Sequence, residues 1–286
     1  MGRVTTREKV LRIRGAASDD RADTLVVEEP LEIRFGGAPL TVTMRTPGDD
    51  FDLAAGFLAS EGVLAGAEDL ESIRYCAGAT ADGSNTYNVL DVAAAPHVPP
   101  PDTSLERNFY TTSSCGLCGK ASIDAVRTAV RWDVAGDTLE VTPELLASLP
   151  DRLREAQRVF DRTGGLHAAG LFDTDGNLLC LREDVGRHNA VDKLVGWALR
   201  QGMLPLRNTV LMVSGRASFE LVQKALMAGV PALAAVSAPS SLAVELAREH
   251  GLTLVGFLRG DSMNVYAGRN RITLETASPT PMAAPR

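Results

Sequence analysis

The sequence predicts an α/β protein in which a C-terminal sheet is covered by helices on both faces. Three strand–helix units follow one another between residues 178 and 251, and their strands are continuously apolar. Continuous apolar strands that alternate with amphipathic helices are typical of a sheet with two covered faces. Residues 25–110 have a different texture, with short strands in which polar and apolar residues alternate, and predict a smaller α+β domain.

The N-terminal elements begin with a predicted β-hairpin over residues 30–46. Apolar and polar residues alternate on both sides of a Gly-Gly-Ala-Pro turn. A helix is predicted from residues 48–50, which supply an N-cap, to Gly62, which ends it. Residues 73–76 and 87–92 predict two further strands, so that this domain combines a small sheet with one helix.

The C-terminal elements begin with a helix start at Thr142-Pro143-Glu144, and two helical pieces are predicted on either side of Pro150. The predicted strands of the large sheet are residues 178–181, 209–213, 231–236 and 252–258. Each of the first three strands precedes a stripe of apolar residues at helical spacing, which indicates a helix packed on the sheet.

These elements divide the chain into four predicted segments. They are a flexible N-terminus over residues 1–24, a smaller α+β domain over 25–110, an α/β domain over 111–275 and a disordered tail over 276–286. Residues 93–108 contain Pro96 and the run Pro99-Pro100-Pro101, which predicts a linker or a long surface loop.

Composition limits the classes of function. The 286 residues are 45% hydrophobic and carry a net charge of −7, which argues against a nucleic-acid backbone as the main partner. The start of the chain is too charged for a signal peptide, and no apolar run is long enough to span a membrane. Four cysteines in a chain of this length are not a disulfide scaffold. We therefore expect a cytoplasmic protein with reduced thiols.

The feature with the most chemical content is the pair Cys115 and Cys118, in a CxxC motif between a Pro-rich stretch and a helical pattern. The start of a helix and the charge of Lys120 both favour thiolate, and cysteines in such motifs reach pKa values of about 3.5–7.5. The other two cysteines, Cys76 and Cys180, lie in strand patterns and are expected to be buried and inert.

Three chemistries use a CxxC pair. A closed zinc site needs four ligands, and no second clustered set accompanies this pair. A catalytic zinc needs three ligands, for which His167 is a candidate, but a zinc deaminase also needs a glutamate two residues after its histidine, where this chain has Ala169. A redox dithiol is expected early in a βαβ pattern, whereas this pair follows a Pro-rich stretch. An exposed thiolate that carries sulfur as a persulfide fits best, and inert structural cysteines are a further alternative.

Polar clusters follow the strands of the predicted sheet. They are residues 182–189, 214–218, 237–241 and 259–264. Ligands of α/β sheets bind at the carboxyl ends of the strands, near helix N-termini. We therefore expect these clusters to form one binding region.

The residue types in these clusters predict a phosphorylated ligand. Arg182, Arg187, Arg216 and Arg259 could converge on phosphates, because a guanidinium matches phosphate oxygens in fork geometry. Asp261 could accept hydrogen bonds from a guanine edge.

Simpler roles are open for other residues of the clusters. Ser214 and Ser240 or Ser241 are most simply helix N-caps, His188 could cap its helix, and His167, flanked by glycines, is either a turn or core histidine or a site residue.

Several motifs together resemble a known family. They are Arg45–Asp49, Gly56–Gly62, Ser114–Lys120, Gly164–His167, Arg182–Lys193 and Ser214–Arg216. On these motifs the chain is similar, over roughly residues 25–270, to the formate dehydrogenase accessory sulfurtransferase family, also called FdhD. The block from Arg182 to Lys193 is the most specific of them.

This resemblance implies a sulfurtransferase that takes persulfide sulfur from a cysteine desulfurase. The acceptor would be the molybdenum cofactor, in its bis-guanine-dinucleotide form, before insertion into formate dehydrogenase. It also implies a homodimer, and a larger domain similar to the cytidine deaminase fold without the deaminase chemistry.

The resemblance also implies site residues. The persulfide cysteine of the family matches Cys115, and the second cysteine of its pair matches Cys118. Its cofactor-binding segment matches Phe257, Leu258, Arg259, Gly260, Asp261 and Ser262. The strand-end residues Arg182, Arg187, His188, Ser214, Gly215 and Arg216 complete the predicted cofactor site, with no resident metal.

Two other functions stay open at this point. A non-catalytic chaperone that binds the molybdenum cofactor would need the strand-end pocket and would have no use for the thiols. A zinc-dependent nucleotide deaminase would need the metal that the CxxC pair and His167 could hold.

Overall fold

A computed structural model describes residues 3–76, 86–101 and 130–274 of the chain, and these residues form a mixed α/β structure. No helix in these three ranges is long and apolar enough to cross a membrane. Their strands form three separate sheets of two, four and six strands.

The two smaller sheets lie in the N-terminal part. A two-stranded ribbon consists of β1 (Thr5–Arg14) and β2 (Ala17–Val26). A four-stranded sheet contains β3 (Glu29–Phe35), β4 (Ala38–Arg45), β5 (Leu70–Tyr75) and β6 (Val89–Ala94), in the order β4-β3-β6-β5. The predicted hairpin over residues 30–46 and the two predicted strands after it are confirmed.

The six-stranded sheet has the order β12-β11-β10-β9-β7-β8. Its strands are β7 (His167–Phe172), β8 (Leu178–Asp184), β9 (Val210–Val213), β10 (Ala232–Ala235), β11 (Thr253–Arg259) and β12 (Ser262–Ala267). The strands β9, β10 and β11 are parallel, and β7 lies antiparallel between β9 and β8. The strands β8 to β11 therefore all point in one direction, and the start of β7 lies at their carboxyl ends.

Six α-helices lie in the described part of the chain. They are α1 (Asp50–Ser60), α2 (Pro143–Ala156), α3 (Arg158–Thr163), α4 (Arg187–Arg200), α5 (Phe219–Met227) and α6 (Ser241–Glu249). Thr142 caps α2 by accepting a hydrogen bond from the amide of Leu145. The predicted helix start at Thr142 is confirmed.

The large sheet buries both faces, as the apolar strands predicted. On one face, Leu211 and Leu233 join a core with α4, α5 and α6 that continues to α1 and the four-stranded sheet. On the other face, Met212 and Ala234 pack against α2. This alternation along β9 and β10 follows from the two-residue period of a strand.

Helices α1 and α4 cross at two glycines. A Cβ built on Gly56 would lie 1.8 Å from the carbonyl oxygen of Asp192, and one built on Gly196 would lie 1.8 Å from that of Asp52. The two backbones are therefore in direct contact, and no other residue fits at either position. This crossing joins the elements of the two predicted domains through one continuous core.

Two groups of buried charges surround the crossing. Asp52 on α1 accepts hydrogen bonds from Arg182 and Arg200. Asp192 on α4 accepts from Lys224 at 2.7 and 2.9 Å and from the hydroxyl of Ser60 at 2.8 Å. Because each buried carboxylate has cationic partners, their burial is compensated.

Two predictions about secondary structure were wrong. Residues 5–26 form the two-stranded ribbon, although residues 1–24 were expected to be flexible; its strands are rich in charges and lack the strict alternation that marks a half-buried strand. Helix α2 also runs unbroken through Pro150, where two pieces were expected. The packing of Leu146, Leu149 and Leu153 on the sheet compensates for the hydrogen bond that proline cannot donate. Of the Pro-rich region, residues 93–94 end β6 and residues 95–101 form no helix or strand, whereas residues 102–108 and the predicted tail lie outside the described residues.

The glycine crossing can be tested by adding one methyl group. Gly196→Ala is expected to lower the free energy of unfolding by at least about 3 kcal/mol, because the new Cβ would meet backbone that cannot move aside. Urea unfolding measures the change. Gly66→Ala is the control, since its Cβ would meet the movable end of the Glu68 side chain. Equal stability of the two variants would contradict the close crossing.

Candidate functional site

The predicted polar clusters meet at the carboxyl ends of β8 to β11, which we call the strand-end edge. His167 starts β7 opposite Asp184, which ends β8. The amide of Ser214 donates to the carbonyl of Ala168 at 3.0 Å. The strand order therefore brings these clusters to one edge of the sheet.

The loops after β9, β10 and β11 also lie side by side. Ala217 forms a parallel bridge with Pro239, and the amide of Phe257 donates to the carbonyl of Ser237 at 3.2 Å. These contacts extend the strand-end edge from β8 to the β11–β12 hairpin. Helices α4, α5 and α6 all begin along it, so their positive dipole ends favour an anionic ligand there.

Asp184 is the buried centre of this edge. Its carboxylate accepts hydrogen bonds from the amides of Gly186 at 2.8 Å and Thr46 at 3.1 Å and from the side-chain amide of Asn189 at 3.1 Å. The ammonium of Lys193 lies 2.8 Å away and also donates to the carbonyl of Thr46 at 2.9 Å. The residues therefore fix the turn into α4, a structural role that the sequence did not reveal.

The four predicted arginines are not equivalent. Arg182 donates to Asp52 at 2.8 Å and lies 3.6 Å from Asp49, so its guanidinium is bound to α1. Arg216 and Arg259 are exposed. The Nε of Arg187 is buried and has no hydrogen-bond partner among the described residues. The strand-end edge therefore brings Arg187, Arg216 and Arg259 to its open side, while Arg182 serves the helix interface.

His167 lies beside Arg187 and Gly215. A Cβ built on Gly215 would lie 3.4 Å from Nδ1 of His167 and 3.8 Å from Cδ of Arg187, so the three residues are neighbours. Burial lowers the pKa of His167, and the charges of Arg187 and His188 lower it further, against an opposing effect of Asp184. His167 is therefore a neutral, half-buried imidazole at neutral pH. Its place at the edge depends on strand β7, which the sequence did not predict.

His188 is bound to the next helix. Its Nε2 lies 2.7 Å from Oε2 of Glu220 and 3.3 Å from the hydroxyl of Ser218, both at the start of α5. The hydrogen bond from His188 lowers the pKa of Glu220. His188 therefore links the starts of α4 and α5 at the strand-end edge.

The serines have different roles. Ser240 caps α6 by accepting from the amide of Ala243 at 3.2 Å, as predicted. Ser214 does not cap a helix, so that simpler prediction was wrong. Its hydroxyl accepts from the amide of Ala168 at 2.9 Å, because β7 lies next to it in the sheet.

The segment from Phe257 to Ser262 forms the end of β11, a turn and the start of β12. Phe257 is 42% exposed and has a φ of 52°, and Gly260 has a φ of 54° in the turn. Leu258 is fully buried in the core. Arg259 pairs with Ser262 across the turn, and the exposed Asp261 lies between them. The segment therefore presents an aromatic ring, a cation and a carboxylate at the strand-end edge.

The predicted catalytic residues Cys115 and Cys118 lie outside the described residues. Cys180 is buried, as expected, and burial raises the pKa of its thiol to about 12. Cys76 is only half-buried, so the expectation of a buried side chain was wrong there. In the part of the chain that the structure describes, no three His, Cys, Asp or Glu residues are grouped to hold a metal ion.

The model of the FdhD/NarQ family matches residues 26–273, which is most of the chain. The chain belongs to the FdhD/NarQ family. Among the curated FdhD/NarQ relatives, sulfur carrier protein FdhD of Streptomyces avermitilis is 72% identical, and the match covers 97% of this chain and 99% of that protein's length. The protein of the same name from Mycobacterium tuberculosis is 59% identical, and the match covers 96% of this chain and 100% of that protein's length. The resemblance inferred from the motifs is confirmed.

A solved structure shares the fold. A crystal structure from Desulfotalea psychrophila, described as a formate dehydrogenase accessory protein, superposes with a TM-score of 0.73. It is 24% identical in sequence and covers 95% of this chain and 100% of its own. The likeness supports the α/β architecture of this FdhD/NarQ member.

The state of His167 gives a prediction about pH. An unfolded histidine has a pKa of about 6.5, and the folded pKa lies below it. As the pH falls below about 6.5, the unfolded chain therefore binds protons first and stability is lost. We expect His167→Gln to lose less unfolding free energy than the wild type between about pH 7.5 and pH 5.5. Urea titrations at both values measure this, and equal losses would contradict a neutral His167.

Proposed function

We propose that this chain is a sulfurtransferase that carries sulfur as a persulfide on Cys115. The acceptor is the molybdenum cofactor in its bis-guanine-dinucleotide form, for use by formate dehydrogenase. The observation that carries the proposal is the family membership over residues 26–273, with relatives named sulfur carriers and a CxxC motif at 115–118. The geometry of the strand-end edge supports the choice of a large anionic acceptor.

Sulfur loading is a thiol–persulfide exchange. The Cys115 thiolate attacks the terminal sulfur of a persulfide on a cysteine desulfurase, which is the first partner. The sulfur–sulfur bond of the donor breaks, its cysteine leaves as thiolate, and a persulfide forms on Cys115 without net oxidation. A low thiol pKa at Cys115 supplies the thiolate at neutral pH.

Delivery passes the terminal sulfur to the acceptor. In the version that uses both cysteines, the thiolate of Cys118 attacks the inner sulfur of the Cys115 persulfide. The terminal sulfur then leaves as sulfide to the acceptor, and a Cys115–Cys118 disulfide forms. A cellular thiol must reduce this disulfide by two electrons before the next cycle.

The strand-end edge fits the acceptor in three ways. Arg187 has a buried Nε without a partner among the described residues, and it lies beside Gly215, where the lack of a side chain leaves room. Arg216 and Arg259 add exposed cations, and three helix N-termini add amide donors. The exposed ring of Phe257 is available for stacking on a base, and Asp261 for hydrogen bonds to a guanine edge.

The finer parts of the proposal follow from the resemblance. The larger sheet and its helices would be a cytidine-deaminase-like fold that has lost deaminase chemistry. The buried Ala169 supports this, because it stands where a deaminase needs its proton-transferring glutamate. A cytoplasmic homodimer that binds the desulfurase, the cofactor and formate dehydrogenase completes the proposal.

Replacement of the persulfide cysteine tests the sulfur step. After incubation with a cysteine desulfurase and cysteine, Cys115→Ala is expected to lose all cyanide-labile sulfur, because the accepting thiolate is gone. Mass spectrometry of peptides locates the extra sulfur. Cys76→Ser, outside the motif, is the control and should load normally.

The same variants separate the alternatives. We expect Cys118→Ala to load sulfur and to support less formate dehydrogenase activity in cells. Full activity with both cysteines replaced would favour a non-catalytic chaperone, and normal loading of Cys115→Ala would refute the assignment. Stoichiometric zinc in the purified protein would favour a deaminase.

Guanine-nucleotide titration tests the pocket. Arg187→Ala is expected to weaken binding of GDP about ten- to a hundredfold, the effect of losing a charged hydrogen bond of roughly 1.5–3 kcal/mol. Isothermal titration measures it, with the exposed Arg207→Ala before β9 as the matched control. Asp261→Ala should reduce the preference for GDP over ADP. An Arg187→Ala titration like that of the wild type would exclude the strand-end edge as the site.

A further inference from the structure

A histidine–carboxylate pair joins the starts of two helices at the strand-end edge. Nε2 of His188, in the first turn of α4, lies 2.7 Å from Oε2 of Glu220, in the first turn of α5. The same Nε2 lies 3.3 Å from the hydroxyl of Ser218, the N-cap residue of α5. A second cation is close by, since Arg187 immediately precedes His188. The pair therefore lies where α4, α5 and the proposed ligand pocket meet.

The side chain of Arg187 is available to a ligand because no carboxylate of the described residues holds it. Its Nε is buried without a hydrogen-bond partner, and its guanidinium forms no ion pair within residues 3–76, 86–101 and 130–274. A buried donor that is left unpaired costs free energy, which an anionic ligand would recover. The use of Arg187 by a ligand therefore depends on keeping nearby carboxylates away from it.

Glu220 is the carboxylate most able to compete for Arg187. The hydrogen bond from His188 is the main cause that lowers the pKa of Glu220, and the charges of His188, Lys224 and Arg187 lower it further, against the effect of burial. Its side chain is 41% exposed, so packing does not confine it to one rotamer. Glu220 therefore lies within the electrostatic reach of Arg187 and is hydrogen-bonded to His188 instead.

The other cation near Glu220 is already occupied. Lys224, one turn further along α5, donates to the two carboxylate oxygens of Asp192 at 2.7 and 2.9 Å. Asp192 follows His188 by one turn on α4, so this second pair joins the same two helices one turn below the first. Lys224 and Asp192 are both buried, and separating them would leave two charges unpaired in the core. Arg187 is therefore the cation left for Glu220 if His188 releases it.

We propose that His188 is a positioning residue that keeps Glu220 away from Arg187, so that Arg187 stays available to the phosphates of the ligand. This inference rests on the proposed function, because it takes the strand-end edge as the site of an anionic nucleotide. His188 acts through its neighbours and has no need to touch the ligand. Without it, Glu220 becomes a competitor for Arg187 and a like charge beside the phosphates.

Titrations with GDP test this arrangement. His188→Ala is expected to weaken binding about three- to tenfold, because Glu220 then pairs with Arg187 and repels the phosphates. Glu220→Gln should bind GDP at least as tightly as the wild type. The double variant His188→Ala and Glu220→Gln should return to within about twofold of the wild type, because no carboxylate remains to compete. The Asp192–Lys224 pair still joins α4 to α5 in each variant, and circular dichroism checks that they fold.

The double variant separates positioning from a purely structural role. If the pair only held α4 against α5, the double variant would bind GDP as weakly as His188→Ala, and that result would overturn the proposal. Wild-type affinity in His188→Ala would also overturn it. The matched control is His97→Ala, which removes a histidine that lies 2.8 Å from Asp69 after β6 and should leave GDP binding unchanged.

Chemical modification of Arg187 tests the same arrangement without a ligand. Phenylglyoxal reacts faster with a guanidinium that is free of ion pairs than with one that a carboxylate holds, and mass spectrometry of the peptide that contains Arg187 measures the rate. We expect the rate to fall in His188→Ala and to recover in the double variant with Glu220→Gln. An unchanged rate in His188→Ala would contradict the capture of Arg187 by Glu220.

The two experiments keep this inference separate from the proposed function. If the wild type bound no GDP while the Arg187 rates followed the expected order, the nucleotide pocket would fail and the role of His188 in keeping Arg187 unpaired would stand. If the wild type bound GDP and the double variant did not recover, the positioning role would fail and the pocket would stand. Sulfur loading on Cys115 should be normal in every variant, since none of them alters the accepting thiol.

Discussion

Direct backbone contact between α1 and α4 is the constraint on which the rest of the structure depends. Gly56 and Gly196 allow the two helices to touch, which brings the four-stranded sheet and the six-stranded sheet into one core. The contact also places Asp52 where it can neutralise both Arg182 and Arg200. Any side chain at the crossing would separate the helices and leave these charges buried without partners.

Helix α4 also positions the strand-end edge. Asp184 at the end of β8 and Lys193 within α4 are both buried, and together they bind the backbone of Thr46 and the turn at Gly186. The next position, Arg187, therefore leaves the turn in a fixed direction, beside His167 and Gly215. The most specific sequence block thus combines residues that build the edge with residues that face its open side.

Local patterns predicted much of this fold, and long-range partners explain what they missed. The succession of strands and helices predicted the covered sheet and the polar clusters at its carboxyl edge. Strand β7 was not predicted, because its small residues, such as Ala168, Ala169 and Gly170, have little strand preference, and its neighbours in the sheet supply the pairing. The role of Arg182 was also hidden, since its partner Asp52 lies 130 positions away.

Carboxylates neutralise Arg182 and Lys193, and the other arginines of the strand-end edge differ in how deeply they are buried. Arg216 and Arg259 are exposed, so dissolved salt screens them, whereas the half-buried Arg187 is shielded from salt. For the anionic ligand that we propose, the outer pair would therefore govern how quickly it arrives, and the inner residue how long it stays. Raising the ionic strength would then slow the binding of that proposed ligand much more than it would speed its release.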